Sequence, residues 1–230
     1  MKILNAGQVY YIKGGAEKYH LVLTELLENH GHEVVPFASK NPKNVSTYWD
    51  QYFAEWVNSV DPSLTDKINF IYSTDARKKI KQILAKVDFD LAHLQIYHAQ
   101  LTGSILKPLL EKNIPIVQTL HDFKLSCAVG SFMRKGKICE DCLGAKYFKA
   151  IGKNCNRDSR ARTLGSVVES YVSQKCGSHT AIDHFIAVCE FQRQKLIDHG
   201  VVKPENISTI LNYVDSSIIE PSFEHLNYIL

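Results

Sequence analysis

Nothing among the 230 residues approaches the ~18–20 uninterrupted apolar positions of a membrane-spanning helix. The opening Met-Lys-Ile-Leu-Asn carries neither the apolar stretch nor the small-residue cleavage site of a secretory leader, so export is not expected and a cytoplasmic setting is. Charge of one sign is scarce too: 27 Lys and Arg face 24 Asp and Glu, a formal +3, which excludes a wholesale polyanion binder. No recognisable nucleic-acid module is present, and nucleic acid is not an expected partner. There is no internal repeat and no low-complexity tract. No Gly-x-Gly-x-x-Gly follows the first apolar segment, which removes the dinucleotide fingerprint and with it a nicotinamide-dependent oxidoreductase.

What is present is an ordinary globular composition, with 45% hydrophobic, 22% charged and 10% aromatic residues. Residues 2–6 form a short apolar strand, followed by a loop through Gly7 and Gly14-Gly15. A helix then places Ala16, Tyr19, Leu23, Leu26 and Leu27 on one face and stops at Gly31. Residues 33–38 read as a second strand in which Pro36 signals an edge. Residues 39–72 hold both tryptophans and no clear strand, and read as a helical excursion whose aromatic side chains pack it onto the core. Strands then alternate with helices: helix 74–86, strand 91–94, helix 101–112, strand 114–120, helix 164–174, strand 184–188, helix 190–198 and strand 207–211. This order predicts about six parallel strands covered on both faces, with functional groups gathered at their carboxyl ends.

Four motifs bear on chemistry. Gly14-Gly15 lies between strand and helix, where exposed amides and the positive end of the helix dipole suit a diphosphate, or where the pair merely loosens a helix start; Glu17 in the first turn is favourable for capping reasons alone. His121-Asp122 follows an apolar strand at the ligand edge and is the leading catalytic feature; the His can bond a sugar or phosphate, and the Asp can fix its tautomer or bind elsewhere. His98, and behind it His93, flank the preceding strand end. Cys127, Cys139, Cys142 and Cys155 lie in one turn-rich insertion with the spacing C-x11-C-x2-C-x12-C, which suits a structural Zn2+ or, alternatively, free or redox-paired thiols. Cys176 and Cys189 read as ordinary buried cysteines. Lys146, Lys149, Lys153, Arg157, Arg160 and Arg162, interleaved with Tyr147 and Phe148, make either a solvated face or a contact with an anionic membrane or a phosphorylated acceptor.

Taken in order, Gly14-Gly15-Ala-Glu17, Thr119-Leu120-His121-Asp122-Phe123 and Ile210-Leu-Asn212-Tyr-Val-Asp215 resemble the N-terminal half of a family 4 glycosyltransferase, and Gly136-Lys-Ile-Cys139-Glu-Asp-Cys142 resembles a Cys-bearing insertion of a bacterial subset. The resemblance implies an α/β, Rossmann-like parallel sheet flanked by helices, the N-terminal half of a GT-B fold with a Cys-rich insertion at about 123–160. It implies a domain over 1–215, then a connector and the start of a second domain over 216–230. The implied activity is retaining transfer of a sugar from a nucleotide-sugar donor to a glycan or lipid-linked acceptor. His121 contacts the transferred sugar; Gly14, Gly15, Glu17, His98 and Asp122 serve binding; and no metal takes part in catalysis, so that zinc at the cysteines is structural. The family's second half supplies the groups that hold the nucleotide and neutralise the departing diphosphate, so this chain alone is expected to be inactive, at the inner face of the membrane if it is peripheral. Leu211 stands where the family often has Pro, and Cys189 where it often has Ser. The alternative is a non-catalytic Rossmann-like scaffold that docks a partner or an anionic surface.

Overall fold

A computed structural model describes residues 1–213 of the chain. Six strands form one parallel sheet in the order β2-β1-β3-β4-β7-β8: β1 (Lys2–Ala6), β2 (Glu33–Phe37), β3 (Leu91–Leu94), β4 (Ile116–Leu120), β7 (His184–Ala187) and β8 (Ile207–Thr209). β5 (Met133–Arg134) and β6 (Lys137–Ile138) pair as a small antiparallel hairpin inside the insertion. The helices are α1 (Gly15–Asn29), α2 (Leu64–Ile71), α3 (Thr74–Leu84), α4 (Leu106–Glu111), α5 (Arg160–Lys175) and α6 (Glu190–Asp198). The expected six parallel strands and their alternation with helices are therefore found.

β1 is buried from Ile3 to Ala6 without alternation, as a strand covered on both faces must be. Its apolar side chains join Val35, Phe37, Ala92, Leu94, Ile116, Leu120, Phe185 and Ile207 in one core with Ile80, Ile83 and Leu84 of α3 and with Ile105, Leu106 and Leu109. Pro36 lies in β2, an edge strand, where its missing N–H costs no inner ladder bond.

Several elements differ from the sequence reading, each for a physical reason. Residues 39–72 are mostly irregular: a 3-10 turn at Tyr48–Tyr52, capped by Thr47, and the short α2 are their only helical pieces among the described residues. Trp49 and Tyr52 do pack against the core, whereas Tyr48 and Trp56 remain exposed. The expected helix at 101–112 is broken at its start, where Thr102 takes a positive φ of 60° and a 3-10 turn at Gly103–Ile105 precedes α4. Crowding explains the glycine there: a Cβ on Gly103 would stand 2.8 Å from Cys176 Cβ, so the turn meets the end of α5 only without a side chain.

α5 begins at Arg160, four residues earlier than expected, which places Arg160 and Arg162 on a helix. Its buried face is mostly polar, with Thr163, Ser166, Glu169, Ser170 and Ser173 beside the single apolar Val167, so an apolar period could not reveal it. Those hydroxyls donate back into the helix: Thr163 to Ser159 O at 2.7 Å, Ser166 to Arg162 O at 3.1 Å and Ser170 to Ser166 O at 2.9 Å. α1 differs in kind. Its fully buried residues are His20 and Thr24, not the expected apolar set, and Leu26 is exposed. The polar residue at the middle of β1, Asn5, turns toward that face and dictates a polar match.

The connector and the start of a second domain expected over 216–230, and Asp215 of the late motif, lie outside the described residues.

Cys189 occupies the N-cap of α6 in extended geometry, φ −156° and ψ 156°, with no side-chain cap bond. A hydroxyl at that position accepts from the first-turn amides far better than a thiol does. Cys189→Ser is expected to raise the unfolding free energy by about 0.5–1 kcal/mol, read from the urea midpoint at constant m-value; an unchanged or lower midpoint refutes the uncapped helix start.

Candidate functional site

The strand order reverses between β1 and β3, which run to either side of the first crossover, and a doubly wound sheet opens its ligand crevice at that reversal, beyond the carboxyl ends of the strands. A small cavity of about 10 Å³ lies there, bordered by Gly7, Gln8, Glu17, His20 and Gln95. Gly7 is fixed as glycine by His20, whose Nδ1 would stand 2.6 Å from an added Cβ. Gln8 donates from Nε2 to His98 O at 2.6 Å and ties the end of β1 to the loop after β3.

His121 follows β4 on this edge. Its Nε2 lies 2.9 Å from Gln95 Oε1, and the proton on that bond can be derived step by step. Thr24 Oγ1 donates to His20 O at 3.0 Å, so it accepts from Asn5 Nδ2 at 2.9 Å. Asn5 Oδ1 then accepts from Gln95 Nε2 at 3.1 Å, which leaves Gln95 Oε1 as the acceptor for His121. The imidazole therefore carries its proton on Nε2 and keeps Nδ1 as an acceptor. Burial pushes its pKa down to about 4 despite the opposing charge of Asp122, so His121 is neutral at neutral pH.

Asp122 sits beside it. Burial alone would raise its pKa, but the charge and hydrogen bond of His98, together with the amide and ammonium of Lys124, hold the carboxyl below its ordinary value. His98 Nε2 is 3.2 Å from Asp122 Oδ2, and Lys124 N donates to Oδ1 at 2.9 Å. Gln192 of α6 donates to Asp122 O at 2.8 Å. Asp122 is thus a fixed ionised anchor for His98, not the tautomer partner of His121; that part is played by Gln95.

Gly14 is the N-cap of α1 and makes no side-chain cap bond, and a Cβ on Gly15 would meet nothing within 4 Å. Neither residue has a positive φ, so the pair leaves open space over the helix amides without relieving strain. Glu17 folds back over this end: its Oε2 would lie 3.3 Å from a Cβ on Gly14. One turn further, the Tyr19 ring meets His121 edge-on at 5.0 Å. Through Tyr19, the helix that begins at the paired glycines reaches His121, and the two features share one edge.

His93, placed behind His98 by the sequence reading, is a core residue bonded to Thr119 Oγ1 at 2.8 Å, and burial lowers its pKa to about 4. A second cavity of about 20 Å³, bordered by His98, Asp122, Lys124, Tyr147 and His179, lies behind Asp122. Beside it Lys124 pairs with the buried Glu169 at 2.6 Å and donates to Ala128 O and Ser170 Oγ, which clamps the start of the insertion to α5. The residues that sequence reasoning missed, Asn5, Gln95, Tyr19, Lys124 and Glu169, form the support of the site. Asn5 within an apolar strand and Gln95 at the end of another were the available signals.

The insertion draws its four cysteines together. Burial, and then the neighbouring thiols, raise the pKa of Cys142 and Cys155, and Lys153 Nζ lies 3.7 Å from Cys139 Sγ. Cys142 and Cys155 pack with Ala128, Tyr147, Ala150 and Val167 in a small second core. All four are free thiols. Among the described residues no three His, Cys, Asp or Glu side chains stand in an arrangement that could hold a metal ion, so the geometry lends the expected zinc no support.

Two outcomes follow. Gln95→Leu should shift the 15N resonances of His121 from a single Nε2–H tautomer to a mixture, with the far-UV spectrum retained; an unaltered tautomer refutes the derived proton position. Secondly, His20, His93 and His121 stay neutral in the folded chain down to about 4, against an ordinary 6.5 when unfolded. Unfolding therefore takes up protons in that window, and stability, complete above the upper value, falls as the pH drops toward the lower. The near-fully buried His20 and His93 should each cost roughly 2 kcal/mol by about pH 5. A urea midpoint that is flat from about pH 7 to about pH 5 refutes this.

Similarity to known proteins runs in the same direction. A crystal structure of a glycosyltransferase from Rickettsia africae ESF-5 superposes with a TM-score of 0.50 at 13% identity, over 94% of this chain and 44% of that one. A UDP-N-acetylglucosamine 2-epimerase from Rickettsia bellii gives 0.50 at 11% identity, over 91% and 44%. At such identities the likeness shows the fold alone, and the chain spans less than half the length of either structure. A comparison with curated protein sequences returns no significant match. The model of the family described as Glycosyltransferase Family 4 matches residues 13–218, nearly the whole chain. With the parallel sheet and the His121 edge behind it, that match makes this chain a member of glycosyltransferase family 4.

Proposed function

We propose that the chain is the acceptor-side half of a retaining glycosyltransferase, which passes a sugar from a nucleotide-sugar donor to a glycan or lipid-linked acceptor when completed by a second domain. The observation that carries this reading is the neutral His121, held by Gln95 at the ligand edge of the sheet and reached by α1 through Tyr19. A neutral imidazole with a fixed Nδ1 acceptor suits a hydroxyl of the transferred sugar, and it adds no positive charge next to an oxocarbenium-like centre.

The open amino end of α1 supplies amides and a positive dipole end, while the Glu17 carboxylate folded over it makes a diphosphate less welcome than a polyhydroxyl group. We therefore assign Gly14, Gly15 and Glu17 to the acceptor and leave the leaving diphosphate to the second domain. The two cavities at this edge have room for a water molecule or two and not for a sugar. That size fits one wall of a cleft, and it supports little transfer by this chain alone.

The test assays the full product of the gene, the longer protein that the proposal requires, with a panel of nucleotide sugars. Transfer by that longer protein is expected to fall by about a hundredfold in His121→Ala, with folding retained, since one preorganised polar contact at the reacting centre is worth about that much. Full activity in the variant, or no turnover of any donor by the longer protein, overturns the reading.

A further inference from the structure

α2 is a helix of eight residues none of which is fully buried. It packs against α5, and the two carry aliphatic side chains outward: Leu64 is 74% exposed and Ile68 57%, one turn apart on α2, while Leu164 is 50% exposed and Val168 37%, one turn apart on α5. Val60, just before α2, is 76% exposed, and its carbonyl accepts from Arg162 Nη2 at 3.4 Å, which fixes it to the same pair of helices. Phe148, also exposed, belongs to the 3-10 segment packed on α5, where its amide lies 3.4 Å from Tyr171 Oη, one turn beyond Val168. Scattered exposed aliphatics need no explanation, but six on three adjoining elements do.

The charges around them are mainly positive. Lys67 on α2, Lys146, Lys149 and Arg157 in the insertion, and Arg160, Arg162 and Lys175 on α5 are exposed, and none has an ion-pair partner among the described residues. Most carboxylates on these elements are engaged: Glu169 is buried against Lys124, Asp66 is bonded to Ser63 and to the amide of Asn58, and in the insertion Glu140 pairs with Lys195 and Asp141 with Lys153, which leaves Asp61 and Asp158.

We propose that this face, the α2–α5 pair with Phe148 at its side, docks on an anionic lipid bilayer, with Leu64, Ile68, Leu164 and Val168 entering the headgroup–acyl boundary and the arginines and lysines meeting lipid phosphates. Aliphatic groups ringed by unpaired cations are complementary to a surface that is apolar beneath and negative on top. A second copy of the chain is disfavoured as the occupant, because a two-fold contact through this face would bring its own unpaired cations together. The inference does not depend on the donor or acceptor of the proposed reaction; it needs only the surface.

Flotation with phosphatidylcholine vesicles, with and without phosphatidylglycerol, tests it on the chain as it stands. Binding is expected only with phosphatidylglycerol present, and to weaken sharply from about 0.05 M to about 0.5 M salt. Arg160→Glu with Arg162→Glu should reduce it at least about tenfold, since each juxtamembrane cation contributes about 1 kcal/mol. Leu64→Ser with Ile68→Ser, both exposed and therefore tolerated by the fold, should reduce it to a similar degree with the charges intact. Equal binding to both vesicle types, no binding at low salt, or a dimer in solution that these substitutions abolish without any vesicle association would each overturn the proposal.

Discussion

The site depends on one requirement: every polar side chain buried between β1, α1 and β3 must find its hydrogen-bond partner, because an unpaired buried donor or acceptor costs roughly 1–3 kcal/mol. Asn5 sets the sequence going from the middle of β1. Its amide commits Thr24 on one side and Gln95 on the other, and Gln95 then commits the proton of His121. The same requirement explains why α1 buries a histidine and a threonine where an amphipathic helix would bury leucines, and why Gly7 has no side chain. The imidazole of His121, in a fixed tautomer, is the last member of a chain of matched dipoles that starts in the core.

Topology supplies the rest. In an all-parallel sheet the strands end on one side, so the loops after β1, β3 and β4 meet without further design, and Gln8, His98, Gln95, His121 and Asp122 become neighbours although they lie far apart in sequence. The two hydrogen-bonded pairs at that edge divide the work. Gln95 orients His121, which burial keeps neutral, whereas His98 and Lys124 hold Asp122 charged, and Lys124 couples this edge to the insertion through Glu169. The insertion is therefore anchored by a buried ion pair and a few apolar contacts around Cys142 and Tyr147. Cys142 and Cys155 contribute to it as packed thiols.

The outer surface follows a different logic. α5 buries four hydroxylated residues beside Val167 and the ion-paired Glu169, while Leu164 and Val168 face outward. Under the docking proposal that outward pair meets an apolar neighbour, and the unpaired cations beside it narrow that neighbour by charge.

Strand positions, their parallel order, the edge placement of Pro36 and the location of His121-Asp122 were readable in the sequence, because apolar runs and their turn signals are local properties. So was family membership, carried by Gly14-Gly15, His121-Asp122 and the late Asn212 motif. Polar partnerships were not. That Gln95 and not Asp122 orients His121, that Tyr19 leaves the apolar face to meet it, that α5 starts at Arg160, and that four cysteines approach without a ligating arrangement all depend on contacts between distant segments. A hydrogen bond is settled by where two chains of atoms come to lie within about 3 Å, and only the folded packing brings those atoms there.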